Sequence, residues 1–158
     1  MPKRFSQREL PGYRYIPGKF PHPNKEGGHS YGVPELVASL LEVGDPFKNS
    51  DFSYGVDLLN MGYYWESHVV FEAFWNAYGR VGNEANFFKA LIALGAAGVK
   101  QGAGDAVERD AHLLRAQVLL SELPAQVLSL SIVELRSLVE SGQWTEGIFL
   151  AGRGDQSE

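Results

Sequence analysis

The chain contains no cysteine among its 158 residues. Disulfide bonds, thiolate nucleophiles and cysteine-ligated zinc sites are therefore excluded. The composition, with 44% hydrophobic and 21% charged residues, is that of an ordinary globular protein and is too apolar for a disordered chain. This length suits one domain that buries its own core.

Long hydrophobic runs are absent as well. The longest, residues 90–99, is bounded by Lys89 and Lys100 and is too short to span a bilayer. The sequence does not open with a charged and then apolar leader, so no secretory signal is predicted. We therefore expect a cytoplasmic protein with no membrane partner.

The net charge of −5 is unevenly distributed along the chain. Residues 1–25 hold six basic residues and one acidic residue, a net charge of +5, whereas the remainder holds eight basic and 18 acidic residues, a net charge of −10. We expect the basic segment to fold back onto the acidic body, although contact with an anionic partner is the alternative. The overall negative charge argues against nucleic acid as a partner.

Proline and glycine are concentrated at the N-terminus, where they leave no room for a long helix or a central strand. The same segment contains tyrosine and phenylalanine, which are too apolar for a loose tail. The sequence therefore predicts an extended arm over residues 1–33, a helical bundle domain over 34–150 and a flexible tail over 151–158. The punctuating residues are Pro2, Pro11, Pro17, Pro21, Pro23, Pro34, Gly12, Gly18, Gly27, Gly28 and Gly32.

Hydrophobic periodicity predicts helices over residues 33–41, 52–61, 63–78, 84–100, 105–123 and 131–141. Asp51 or Ser50 is expected to cap the second helix, and Asn83 the fourth. Ser131 and Glu134 form a capping-box pattern at the start of the last helix. No run alternates with a period of two, so no sheet is predicted. We predict an all-α fold, a compact helical bundle with an extended N-terminal arm packed on it.

The helix predicted over residues 63–78 is apolar nearly all round, so it should be buried on more than one side, in the middle of the bundle. His68 and Glu72 lie four residues apart on its aromatic side and can touch each other. Glu66 points about 160° away from His68 and suits the first turn of a helix.

The His68–Glu72 pair has two interpretations. It is a polar pair that satisfies itself and fixes the packing, or it belongs to a catalytic, ligand or metal site. A metal needs three or four ligands, so the others would have to be supplied by residues elsewhere in the chain. We predict neither a metal nor a cofactor. If there were a metal site, the further ligands would come from His22, His29, His112, Asp57 and Asp110.

The helix over residues 84–100 is rich in alanine and glycine, which favours close approach of a neighbouring aromatic helix over a ligand cavity. If there is a pocket, Trp65, Trp75, His22 and His29 are the residues expected to line it. The two arm histidines are flanked by proline or glycine, and the sequence favours surface positions for them over a role at a pocket mouth. No nucleotide-binding loop, nucleophile elbow, zinc-protease helix or calcium loop is present.

Two stretches carry a family resemblance. Residues 58–68 (LLNMGYYWESH) and 88–97 (FKALIALGAA), with the arm around residues 15–31, resemble the family called domain of unknown function 309. The resemblance implies a compact helical bundle and no known activity, and its motif positions here are Trp65, Glu66, His68, Glu72 and Trp75. Val69 and Ala93 stand where the family often has polar residues, which weakens an enzymatic interpretation of this chain.

These observations support two hypotheses. The first is a structural or protein-interaction role, in which the His68–Glu72 pair stabilises the core. The second is a small-molecule-binding or metal-dependent enzyme, in which His68 acts as acid–base or ligand with Glu72 as its partner and Glu66 as a further catalytic candidate. The partner would accordingly be an unidentified protein or a small molecule.

Overall fold

Helices dominate the computed structural model, which describes residues 3–150. The predicted all-α fold is confirmed. Two short 3₁₀ helices, Pro46–Lys48 and Gln143–Glu146, flank the helical series. The helices in the described residues are α1 (Ser50–Asn60), α2 (Tyr64–Ala77), α3 (Asn83–Gly102), α4 (Ala106–Ser121) and α5 (Ile132–Ser141). The tail predicted over residues 151–158 lies outside the described residues.

The helix caps follow the sequence signals only in part. Ser131 caps α5 as predicted, because its hydroxyl accepts from the Glu134 amide at 3.1 Å. The cap of α1 is Asn49 and not Asp51 or Ser50, since the Asn49 side chain accepts from two first-turn amides. The expectation for Asn83 is also wrong, because Gly82 occupies the cap position and Asn83 is already helical.

The helix predicted over residues 33–41 is absent, and this segment is extended. Its apolar residues do not form one helical face, because Leu36 and Leu41 pack on the core whereas Val37 remains 88% exposed. Pro34 disfavours a helical conformation at the residue before it. The Leu41 amide donates to the Tyr78 hydroxyl at 2.9 Å, so the segment is fixed by a tertiary contact and not by helical hydrogen bonds.

The expectation of no sheet is also wrong. A two-stranded antiparallel hairpin pairs β1 (Gln126–Val127) with β2 (Leu130–Ser131). Its two-residue turn places Leu128 and Ser129 at positive φ, 54° and 65°. Such turns usually contain asparagine, aspartate or glycine, so the sequence carries no hairpin signal here.

The helix at the centre of the bundle is α3, which packs against α2 on one side and α4 on the other. The prediction that residues 63–78 are buried on more than one side is correct, since α2 contacts both α1 and α3. Its place in the middle was wrongly predicted. The core is rich in phenylalanine, and the Phe74 and Phe88 rings stack at 5.1 Å between centroids. Within residues 3–150, each helix is too short or too polar to cross a lipid bilayer.

The small residues of α3 admit α2 at close range, as the sequence favoured. A Cβ on Gly95 would lie 2.9 Å from the Tyr64 carbonyl oxygen, and one on Gly98 would overlap the Tyr64 ring. The absence of side chains at these two positions therefore sets the distance between the helices that carry the core.

We expect Gly98→Ala to destabilise the protein by about 1–3 kcal/mol, because the new methyl group must displace the Tyr64 ring. Gly102→Ala is the matched control on the same helix, where a Cβ would make an ordinary contact of 3.5 Å with Ile16. The measurement is urea unfolding followed by circular dichroism. Equal midpoints for the two variants would contradict this account of the helix spacing.

Candidate functional site

Asp57, on α1, is a buried carboxylate whose hydrogen bonds come from the N-terminal arm. Its Oδ1 accepts from the Phe5 amide at 2.6 Å, and its Oδ2 accepts from the Ser6 amide at 2.9 Å and the Ser6 hydroxyl at 2.8 Å. Arg4 adds an ion pair at 3.2 Å. Burying a carboxylate is costly unless it is paired and hydrogen-bonded, so the arm is what makes this position tolerable.

Glu66, in the first turn of α2, is the second buried carboxylate that the arm contacts. It bonds to the arm through one oxygen, while its Oε1 has no hydrogen-bond partner among the described residues. Its Oε2 lies 2.6 Å from His29 Nε2 and accepts from the Tyr15 amide at 3.0 Å. The two side chains of this pair are only 9% and 5% exposed. The other ring nitrogen of His29 lies 2.8 Å from the Ser30 hydroxyl, so both nitrogens have partners.

Further contacts fix the arm along α1. Arg8 pairs with Asp51 at 3.1 Å, and the Tyr54 hydroxyl donates to the Glu9 carbonyl at 2.9 Å. Arg14 Nε donates to the Met61 carbonyl at 3.0 Å. The predicted folding of the basic segment onto the acidic body is therefore confirmed.

The His68–Glu72 pair forms, but at the surface. His68 Nε2 lies 3.3 Å from Glu72 Oε1, and the side chains are 24% and 51% exposed. The prediction that this pair lies within the core is thus corrected. His68 lies beside Gly95 of α3, but both side chains of the pair line an open cleft along α2. Glu66 takes the buried position, and its partners come from the arm and not from a neighbouring helix.

The hydrogen bonds of His68 limit its chemistry. Its Nδ1 lies 2.5 Å from the Trp65 carbonyl oxygen, which can only accept, so this nitrogen carries a proton. The other ring nitrogen, Nε2, lies 3.3 Å from Glu72 Oε1 and faces the more exposed of the two side chains. The nitrogen that is open to a ligand is therefore Nε2, and Glu72 lies next to it.

Trp65 lies at the centre of an aromatic cluster that joins the arm to α2. Tyr15, His22 and His68 each contact its ring edge-on, at 5.5 Å between centroids. His22 and Tyr15 also contact each other at 5.4 Å. Trp65 and His22 are therefore in direct contact.

Two clefts open on either side of Trp65 and His68. The larger, here called the α2 groove, has a volume of about 560 Å³ and runs between α2 and the extended segment that follows the arm. The smaller, about 250 Å³, runs towards Lys100 and His112 on α3 and α4. The α2 groove is lined by Asn24, Ser30, Gly32, Val33, Pro34, Glu35, Leu36, Trp65, His68, Val69 and Glu72.

His112 lies in the smaller cleft, and its Nδ1 is 2.7 Å from Arg115. Partial burial and then the positive charge of Arg115 lower its pKa below the ordinary value of 6.5. The imidazole is therefore neutral at pH 7. The cleft combines a neutral histidine, the ammonium group of Lys100 and an apolar floor.

The other three residues expected at a pocket lie outside both clefts, His22 among them. Trp75 lines neither cleft, and Arg80 covers its ring at 5.0 Å. His29 is nearly buried beneath Tyr13, with 4.6 Å between ring centroids. The surface position favoured for His29 is therefore wrong, because Glu66 draws it inward.

Within residues 3–150, no three histidine, aspartate or glutamate side chains are grouped closely enough to hold a metal ion. The candidate ligands are dispersed. Asp57 accepts hydrogen bonds from the arm, and His29 pairs with Glu66. Asp110 forms an ion pair with Arg109 at 2.9 Å.

Sequence reasoning missed the roles of Asp57 and Tyr15. Asp57 lies next to the apolar positions of α1 that face the core, so the helical spacing predicts that it is buried. A buried carboxylate needs hydrogen-bond donors. That need did not identify the partner, because the Phe5 and Ser6 amides belong to a segment more than 50 residues away.

Residues 52–107 match the family described as "Domain of unknown function (DUF309)". The matched stretch covers most of α1, all of α2 and α3 and the start of α4, and it contains both buried carboxylates. The arm and α5 lie outside it. No curated protein matches the chain.

We expect Glu66→Gln to destabilise the protein by about 2 kcal/mol, because it removes the charge from two buried hydrogen bonds to the arm. Glu72→Gln is the matched control on the same helix and should cost less than about 1 kcal/mol, since its pair is half exposed. Thermal unfolding of both variants measures the difference. A larger loss for Glu72→Gln would overturn the assignment of the structural role to Glu66.

Proposed function

We propose that this protein is a cytoplasmic protein-binding module that accepts an extended segment of a partner protein along the α2 groove and residues 33–43. The partner segment carries alternating apolar and basic side chains. The observation that carries the proposal is a run of unpaired backbone amides beside the groove.

The amides of residues 35–40 donate no hydrogen bond to any residue in the described part of the chain. Extended backbone with free donors and acceptors is the template on which a second strand adds, and natural proteins usually cover or interrupt such edges. Residues 33–36 also form one wall of the α2 groove. A partner strand paired with this backbone would thus lie beside Trp65 and Glu72.

The side chains of this segment support the same conclusion. Exposed apolar residues are common when scattered, but here they cluster along one short stretch. Val43 is 99% exposed, and Tyr31, Val33, Val37 and Leu40 are also exposed. Their burial under a partner strand would provide the hydrophobic part of the binding free energy.

Charge favours a basic partner. The ionisable residues that line the α2 groove are Glu35, Glu72 and His68, so its negative charge comes from two carboxylates. Lysine or arginine side chains on the partner would meet these carboxylates, which also steers association.

The segment is held in place before any partner arrives. Leu41 is fixed by the Tyr78 hydroxyl, and Asn49 Nδ2 donates to the Ser39 carbonyl at 3.3 Å. A preformed extended backbone lowers the conformational entropy that binding must overcome.

The test uses a synthetic acetylated peptide of alternating lysine and valine, titrated against the full chain. We expect the amide resonances of residues 35–40 to shift and their hydrogen exchange to slow, since these amides gain acceptors. Glu72→Lys should weaken binding by about tenfold, whereas Glu140→Lys, an exposed charge change on α5, should leave it unchanged.

A peptide of alternating glutamate and valine is the matched probe for charge. Equal binding of both peptides, or resonance shifts confined to other residues, would refute the proposal. No binding of the lysine–valine peptide would refute it as well.

A further inference from the structure

The outer face of α4 carries an unpartnered apolar stripe. Val107, Leu114 and Val118 are 79%, 60% and 50% exposed, and Ala111 between them is exposed too. Their spacing of four, three and four residues is that of the a and d positions of a coiled coil. The stripe therefore covers two heptads along the whole of α4.

This stripe faces away from the bundle. The buried residues of α4, Ala116 and Leu120, lie about 180° round the helix from its centre. Both α3 and α5 contact α4. The exposed side chain of Lys89, on α3, borders the stripe beside Leu114 and Val118. Within residues 3–150, no helix or loop buries the stripe.

One flank of the stripe carries an acidic residue towards one end and a basic residue towards the other. On one flank, Glu108 stands near the N-terminal end of α4 and Arg115 near the C-terminal end. Neither side chain forms an ion pair with a described residue. On the other flank, Asp110 and Gln117 occupy the equivalent positions.

We propose that α4 docks against α4 of a second copy of this chain, with the two helices antiparallel and related by a two-fold axis. In that arrangement Val107 packs on the partner's Val118, and Ala111 packs on the partner's Leu114. Glu108 then meets the partner's Arg115, and by symmetry Arg115 meets the partner's Glu108.

The charge pattern selects a second copy over an unrelated partner. A two-fold interface requires a surface that is complementary to itself. The flank of α4 meets this condition, because reversal of the helix about the midpoint of the stripe places the acidic residue against the basic one. The helix dipoles of an antiparallel pair also oppose each other favourably.

The length of α4 limits the area of the dimer interface and therefore the affinity of the dimer. A helix of 16 residues is about 24 Å long, so the interface lies at the small end of the range for specific complexes. We therefore expect a monomer–dimer equilibrium that shifts with concentration. The surface is separate from the α2 groove, so dimer formation and peptide binding can be tested independently.

The first experiment is sedimentation equilibrium of the full chain from low to high micromolar concentration. We expect reversible dimerisation that Leu114→Glu abolishes. Val133→Glu, at an exposed valine on α5, is the matched control and should leave the equilibrium unchanged. Circular dichroism verifies that both variants keep their helical content.

The second experiment reverses the charges. Glu108→Arg and Arg115→Glu should each weaken the dimer by about tenfold, because each places like charges opposite one another. The double variant should recover the affinity, since every pair across the interface is again of opposite sign. A strictly monomeric chain, a dimer insensitive to Leu114→Glu, or a double variant weaker than either single variant would overturn the proposal.

Discussion

Two buried carboxylates, one on each of two neighbouring helices, determine how the rest of the chain is arranged. Asp57 and Glu66 are only 1% and 6% exposed, so each requires donors from the protein. The donors come from the arm, as backbone amides, a hydroxyl, a guanidinium and an imidazole. The arm is therefore a structural part of the domain, although it contains no helix of its own. Asn24, Ser30 and Gly32 of the arm in turn line the α2 groove.

The helical part of the fold was readable from the sequence because its causes are local. Periodicity and stop signals located α1 to α5 within a few residues, and the Ser131 cap followed from residues three positions apart. Features set by distant contacts were not readable. Residues 33–41 have the spacing of a helix, yet they are extended because their anchors are Tyr78 and Asn49. The hairpin at residues 126–131 lacks the usual turn residues, so no local signal marked it.

In the candidate site, too, contacts between residues close in sequence were predictable, and contacts with distant residues were not. The spacing of His68 and Glu72 predicted that they meet, and they do. The burial of Glu66, and not of Glu72, depends on which segments cover each side of α2. Residues near these two positions in the sequence do not indicate which segments those are. Glu66 looked like an ordinary first-turn acid, because the histidine that pairs with it lies 37 residues earlier. The family match spans α2 but not His29, so it did not supply this partner either.

The dependence of the carboxylates on the arm has a consequence for the order of folding. A ribosome releases the arm first, but the arm cannot dock until α1 and α2 have followed it. Its contacts close loops of about 50 residues, and the entropy of closing such loops delays them relative to the local helical contacts. During synthesis the basic N-terminal segment thus spends its first moments exposed, and the two acids that it will cover emerge charged and hydrated. Docking of the arm is the step at which protein donors replace water around them.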